Sequence, residues 1–566
     1  MSSEQLLYQL TDVVPITLTS QGIVIRSQLQ DPDSSISSSF THRSRDTATY
    51  YEHDSNNCNN SLFSDNLAAC FACLETKEEG PKVPRFISYK NILYVEPRTL
   101  EWDSNELKLT YVVPNHQNYQ LSATKVSINT LNIQVQNCNP DLQQQQQSAK
   151  ERVTSIIRYI LNKSYRHRVM QQPSILVLIN PHGGQGKAVK IYNEHIKPIL
   201  QAAHCKITYQ NTEYSGHAYE IARDLDIDQY DIIVCCSGDG IPHEVINGFY
   251  QRPDSGVEAF NNVIITQLPC GSGNALTLST LGGSNHPEVA TWLMLKSEPC
   301  KMDLMAVTQG TGENMSTKLS FLSQCYGIIA DSDIGTEHLR WLGPVRFEIG
   351  VLQKVISGAT YPCDLYVNYY TYDKYEIKQH VSQYVSSLER RGITSGSDSS
   401  NSNGGGNNND DLLYQVTLKD LKINSPNLDQ PVPSTWEMLP SKITENLNIL
   451  YVGKMPYVSK NAQFFPAALP NDGYMDMIIT DSHRTSMVNL SSILLNVESG
   501  THINDDKVVH AKVNAYRLVP RMSAKNHYIS IDGESFPFEK FQVEVLPKIM
   551  TGLLLNGKFT ESALTK

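Results

Sequence analysis

Three glycine turns have the composition and spacing to do chemistry: Asn180-Pro-His-Gly-Gly-Gln-Gly-Lys187, Ser237-Gly-Asp-Gly240 and Gly271-Ser-Gly-Asn274. Each follows an apolar run and precedes a helix-like stretch. Glycines let backbone N–H groups approach a phosphate, and a helix N-terminus adds a positive field. The first turn lacks the GxxxxGK[ST] pattern and is not a P-loop. A single such turn reads as an ordinary strand–helix connection; three on successive strands point to a phosphate-bearing ligand. Asp239 sits between Gly238 and Gly240. A carboxylate there can accept a proton from an attacking hydroxyl or hold Mg²⁺. The same residue can instead cap the following helix, which has Pro242 in its first turn. That helix buries Val245, Ile246 and Phe249 and leaves Glu244 to point elsewhere, toward a ribose or a metal.

The turns need a scaffold, and residues 174–312 supply it. SILVLIN, CKITYQNT, YDIIVCCSGDG and NNVIITQLPCGSGNALTLSTL alternate with helical stretches. This is the βαβ grammar of a parallel sheet, predicting an α/β nucleotide-binding domain with its ligand at the carboxyl ends of the strands. From 313 to 566, runs such as CDLYVNYYTYDKYEI, NLNILYVGK and FQVEVLP predict an antiparallel β-sandwich. Residues 392–411, rich in Gly, Ser and Asn, read as a disordered insert in it. Upstream, 1–82 reads as mostly disordered or irregular, and 83–140 as a β-rich regulatory module. Residues 141–173 form a linker, with Gln143 to Gln147 and a basic helix, KERVTSIIRYILNKSYRHR. Its apolar face (Ile156, Ile157, Ile160, Leu161) either docks on a domain or lies on an anionic membrane.

Bulk composition narrows the function class. The 566 residues carry 47 Lys+Arg against 58 Asp+Glu, a net charge of −11, which argues against a general nucleic-acid binder. No stretch approaches the ~18–20 apolar residues of a spanning helix, and MSSEQLLYQLTDVVP has no signal-peptide pattern. Eleven irregularly spaced cysteines make a poor disulfide framework and suggest buried thiols in a reducing interior. Cys70 and Cys73 form a lone CxxC, read as structural thiols or palmitoylation sites rather than a zinc site.

The run SGDGIPHEVINGF, with NPHGGQGKA upstream and LPCGSGNAL, YGIIADSDIGTEHLRWLGPVRFEIG and YISIDGE downstream, resembles the diacylglycerol-kinase-like lipid kinases. Within them it most resembles the sphingosine (long-chain base) kinases. The resemblance implies an ATP- and Mg²⁺-dependent kinase for the primary hydroxyl of a sphingoid base, with Asp239 as general base. It implies nucleotide contacts from Asn180, His182, Gly184, Lys187, Thr212, Ser237, Gly238, Gly240, Glu244, Gly271 and Ser272. Arg340 and Arg346 match basic residues near the phosphates, and Asp532, Gly533 and Glu534 match a late DGE that returns to the nucleotide. Without the family, the arginines read as surface ion pairs with Glu337 or Glu348, and Asp532 as part of an Asp-Gly turn.

Sphingoid bases carry a cationic amine; diacylglycerol and ceramide do not. A carboxylate at the head-group end of an apolar tunnel would leave neutral lipids facing an unpaired charge. The resemblance makes Asp333 the amine contact, with Asp331 as the second candidate and Ser323 at a head-group hydroxyl; either Asp can instead cap a helix at 335–342. The expected partners are the sphingoid lipid and a peripheral membrane surface, with no nucleic acid. The expected location is the cytoplasmic side of the endoplasmic reticulum, Golgi, endosome or plasma membrane. A diacylglycerol or ceramide kinase and a non-catalytic lipid sensor are the rival readings. The 83–137 segment is compatible with a pleckstrin-homology-like module.

Overall fold

The computed structural model describes residues 13–25, 86–98, 106–115, 123–137, 149–166, 168–336, 345–394 and 414–565. Three sheets organise them. The first contains β1 (Val14–Leu18), β2 (Gly22–Ile25), β3 (Phe86–Ser88), β4 (Ile92–Pro97), β5 (Glu106–Pro114) and β6 (Val126–Asn137), in the order β3-β2-β1-β6-β5-β4. The β-rich module expected from residue 83 thus draws two strands from residues 14–25, where β-branched Val and Ile alternate with polar positions. Helix α1 (Ala149–Ser164) packs on this sheet through Val153, Ile156 and Ile160. Its apolar face is therefore covered by protein and is not offered to a bilayer. The expected insert begins inside a helix, Lys374–Thr394; residues 395–413, the glutamine tract, Cys70 and Cys73 lie outside the described residues.

The second sheet is parallel, with β7 (Ser174–Ile179), β8 (Lys206–Asn211), β9 (Ile232–Ser237) and β10 (Ile264–Pro269) in the order β10-β9-β7-β8. Their near-continuous apolar runs suit a sheet covered on both faces. In register, Pro269 pairs with Ser237 and Ile179 with Cys236, so the three glycine turns leave neighbouring strands at one level. Cys235, Cys236 and Cys270 are buried free thiols, as expected of small core residues.

The third sheet is antiparallel. It comprises β11 (Glu298–Gln309), β12 (Ser316–Ser320), β13 (Ser323–Gly327), β14 (Cys363–Thr371), β15 (Glu437–Met438), β16 (Leu447–Gly453), β17 (Met475–Asp481), β18 (Val509–Pro520), β19 (Ile529–Ile531), β20 (Glu534–Phe536) and β21 (Phe541–Leu554). Their order is β12-β11-β21-β18-β17-β16-β13-β19-β20, with β14 on β18 and β15 on β14. β11 pairs along β21, so the sheet reaches back to residue 298 rather than starting at the expected boundary of 313. Buried charge crosses this domain as paired groups: Lys454 bonds Asp303 at 2.8 Å and Asp472 at 2.6 Å, and Lys512 bonds Asp476 at 2.8 Å.

Tyr165 Oη donates to Leu93 O at 2.6 Å and Trp292 Nε1 to Lys90 O at 3.1 Å, tying the first sheet to the parallel domain. Ile160 is fully buried in the seam between α1 and the sheet. Ile160→Ala should cost about 2–5 kcal/mol. Hydrogen exchange should show faster opening in 86–137 and little change in β7–β10; unchanged protection in 86–137 would show that α1 does not hold the module.

Candidate functional site

Asp239 ends the turn after β9 and starts helix α3 (Gly240–Tyr250), but its side chain does not cap that helix. Oδ1 instead accepts the backbone N–H of Ala275 at 2.8 Å, at the start of the short helix Ala275–Thr280, and Gln267 Nε2 at 3.2 Å. Gln267 is itself oriented, its Oε1 accepting the Thr277 N–H at 3.0 Å and Thr277 Oγ1 at 3.1 Å. Burial pushes the Asp239 carboxyl up to about 6, with the Asp532 charge adding to the rise and the Gln267 and Ala275 bonds opposing it.

Two of the glycines, Gly271 and Gly273, are there because nothing larger fits. A Cβ on Gly271 would fall 2.3 Å from both Cα and N of Gly238, and one on Gly273 would fall 2.3 Å from Asp239 Oδ2. Asn274 closes the turn in the left-handed region (φ 63°), its Oδ1 accepting the Gly271 N–H at 3.0 Å and its Nδ2 donating to Gly271 O at 2.9 Å. In the first turn, Asn180 Oδ1 accepts the His182 N–H at 3.0 Å, His182 and Lys187 are exposed, and Gly184 lies in the short helix Gly183–Gly186. Thr212 is buried at the end of β8, its N–H on Ile179 O. Ser237 Oγ donates to Gly238 O at 2.7 Å, and Ser272 is exposed. These residues gather at one end of the parallel sheet.

Several expected contacts are otherwise engaged. Glu244 does not reach toward a ribose or metal: its two oxygens accept the N–H groups of Gly216 and Ala218 at 3.0 Å each, capping helix α2 (His217–Asp224). Asp532 and Gly533 form the two-residue turn between β19 and β20, with φ of 52° and 84°. The Asp532 carboxylate is buried and filled by protein. Oδ1 accepts Ser320 Oγ (2.6 Å), Leu322 N (3.0 Å) and Ser323 N (2.9 Å); Oδ2 meets Phe321 N (3.1 Å) and His243 Nδ1 (2.8 Å). A side chain so occupied is not a phosphate neighbour. Glu534 fits the expected position better: its Oε1 lies 3.0 Å from where a Cβ would stand on Gly240. Arg340 lies outside the described residues, and Arg346 belongs to a helix, Val345–Ile356, described there only in its backbone.

Of the two head-group candidates, Asp331 is spent. It accepts Lys354 Nζ (2.7 Å), Tyr361 Oη (2.8 Å), His527 Nδ1 (3.0 Å) and Tyr528 N (3.1 Å). This network commits its oxygens to protein donors. Asp333, half-buried on the same helix (Ile328–Gly335), accepts Ser530 Oγ at 3.1 Å. Ser323 Oγ lies 3.4 Å from Tyr451 Oη. Burial above all raises the Tyr451 phenol, with Cys325 next and the charges of Asp333 and Asp239 as smaller contributions. Tyr451, Gln267 and His243 escaped the sequence reading. Only His243, four residues after Asp239 in SGDGIPHE, carried a local signal.

Asp239→Asn keeps an acceptor for Ala275 and removes a charge that burial disfavours. A carboxyl raised from 3.8 to about 6 lowers the stability of the folded state as pH rises across that window. The variant should therefore melt at or above the wild-type temperature at pH ~8, and the gap should narrow as pH falls through 6 toward 4. A variant less stable at high pH would show that the charge is compensated in the fold.

The profile of the diacylglycerol kinase catalytic domain matches residues 174–307, and that of the YegS C-terminal NAD kinase beta sandwich-like domain matches 441–554. Sphingoid long chain base kinase 5 of Saccharomyces cerevisiae is 44% identical over 72% of this chain, which spans 63% of that relative's length. Sphingoid long chain base kinase 4 of Schizosaccharomyces pombe is 31% identical, with 70% of this chain and 78% of the relative covered. Sphingosine kinase 1 of Arabidopsis thaliana is 30% identical, with 66% and 71% covered.

Proposed function

The chain belongs to the sphingoid long-chain base (sphingosine) kinase family, and from that premise we propose that it transfers the γ-phosphoryl group of ATP to the primary hydroxyl of a sphingoid base such as sphingosine, sphinganine or phytosphingosine. The observation that carries the reading is the Asp239 carboxylate in the turn 237–240, held by Gln267 and the Ala275 N–H against the turn 271–274. The turn backbones at 180–187, 237–240 and 271–274 cradle the phosphates. Asn180, His182, Gly184, Lys187 and Thr212 contribute to the nucleotide pocket, and Arg340 and Arg346 meet the transferring group. Asp239 takes the proton as the lipid oxygen attacks the γ-phosphorus. The bond from phosphorus to the β,γ-bridging oxygen breaks, and ADP leaves with that electron pair. Mg²⁺ would neutralise charge on the phosphates, and Glu534, beside Gly240, is the carboxylate of this chain placed to help hold it while Asp239 stays available as the base.

Asp333 receives the lipid's ammonium. Its half-buried position, on the same helix as the protein-filled Asp331, supports this role. A peripheral membrane surface is the natural site of work. Leu352 and Ile356 (57% and 63% exposed) line one face of the helix Val345–Ile356, which touches the helix Met487–Leu495, where Val488 and Leu495 are each 79% exposed. Such apolar residues on neighbouring helices suit contact with lipid.

Radiolabelled ATP and a lipid panel test the activity. Sphingosine and sphinganine should be phosphorylated and diacylglycerol and ceramide should not; the reverse preference would overturn the substrate reading. Asp333→Asn should lower kcat/KM for sphingosine roughly tenfold to a hundredfold, mainly through KM. An unchanged KM would remove Asp333 from the amine site. For the wild type, kcat/KM should fall below about pH 6 as Asp239 takes up its proton. A flat profile down to pH ~4 would contradict Asp239 as the base.

A further inference from the structure

Away from the glycine turns, the N-terminal sheet and the parallel domain enclose a cavity of about 410 Å³. Four cationic side chains line it: Lys90 after β3, Lys163 and Arg166 at the end of α1, and Lys296 just before β11. Among the described residues no carboxylate lines it, in a chain whose net charge is −11. Glu298 approaches Arg166 only at 4.0 Å and is not part of the wall. Ser88 adds a hydroxyl, and Phe86, 48% exposed, adds an apolar rim.

Lys296 braces the wall. Its Nζ donates to Ile92 O at 2.6 Å and Ser164 O at 3.1 Å and stands 3.5 Å over the Tyr165 ring. No carboxylate among the described residues pairs with it, and burial holds its pKa well below that of a free lysine. An ammonium packed against carbonyls and a ring without a counter-ion is costly. The negative end of the α1 dipole accounts for a cation near Ser164. It does not call for Lys90 on the facing sheet, nor for the open volume between them.

We propose that this cavity is a second ligand site, which binds a phosphate-bearing anion with Lys90, Lys163 and Arg166 as its counter-charge, Lys296 bracing the wall between α1 and the sheet. A phosphorylated lipid headgroup and a free phosphorylated metabolite share that chemistry. The test uses the full chain. Soluble inositol trisphosphate is titrated calorimetrically, and co-sedimentation is measured with phosphatidylcholine vesicles lacking or containing a few per cent phosphatidylinositol phosphate. The protein should bind the phosphate-bearing vesicles in preference to the plain ones. Lys90→Gln combined with Lys163→Gln should weaken this preference about thirtyfold, from roughly a factor of five per basic side chain. Lys442→Gln, an exposed lysine elsewhere, should leave it intact. Sphingosine phosphorylation in detergent micelles should be unchanged in the double variant, which also shows that it folds. Binding of soluble inositol trisphosphate as well would assign the site to a free anion, and vesicle binding alone to a headgroup. Binding of neither probe, or equal binding by the double variant, would overturn the proposal.

Discussion

Asp239 holds a carboxylate against the bare backbone of a neighbouring turn, and this contact constrains the rest of the site. Residues 271 and 273 must be glycine, because a single Cβ at either would strike Gly238 or the carboxylate itself. The helix beginning at Ala275 must start where it does, because its first N–H fixes Oδ1. Gln267 must face inward from β10, and Thr277 holds it there. The result is a partly buried carboxyl oriented by neutral donors, its pKa pushed up to about 6 by burial.

A second carboxylate joins the domains. Asp532 gathers the N–H groups of residues 321–323 and the Ser320 hydroxyl at the crossing from β12 to β13, and on its other side meets His243 of α3. The ring's tautomer follows from the neighbours. Asn247 Oδ1 accepts the Leu319 N–H at 2.8 Å, so its Nδ2 faces His243 Nε2 and the ring proton sits on Nδ1, toward Asp532. The helix that begins at Asp239 is thereby bolted to the antiparallel domain that carries Tyr451 and Asp333. The glycine turns and these two residues thus keep one geometry although they belong to different sheets.

The parallel sheet and its turns were legible because buried strands read as apolar runs and because glycine, at these positions, has no substitute. The antiparallel domain was legible as a class, though not at its edge: β11 reads as the last strand of the α/β region, and only its pairing with β21 assigns it elsewhere. Strands β1 and β2 were missed because nine residues in a Ser- and Asn-rich stretch carry too little pattern to announce pairing with partners more than sixty residues away. The residues picked out by motif position have different surroundings in the structure. Asp239 and Glu534 face the turns, whereas Glu244, Asp331 and Asp532 sit in the same neighbourhood with their oxygens committed to protein donors. Motif spacing cannot tell a carboxylate that meets a ligand from one that stitches loops together, because both need a fixed place in the chain. The hydrogen-bond partners make that distinction.

Single-turnover phosphoryl transfer from ATP to sphingosine by the Asp239→Asn variant, beside a direct measurement of sphingosine binding, tests the central assignment. Loss of the base should slow the chemical step about 10²- to 10⁴-fold while the lipid binds as in the wild type. A transfer rate within a few-fold of the wild type would contradict the assignment of this carboxylate as the proton acceptor.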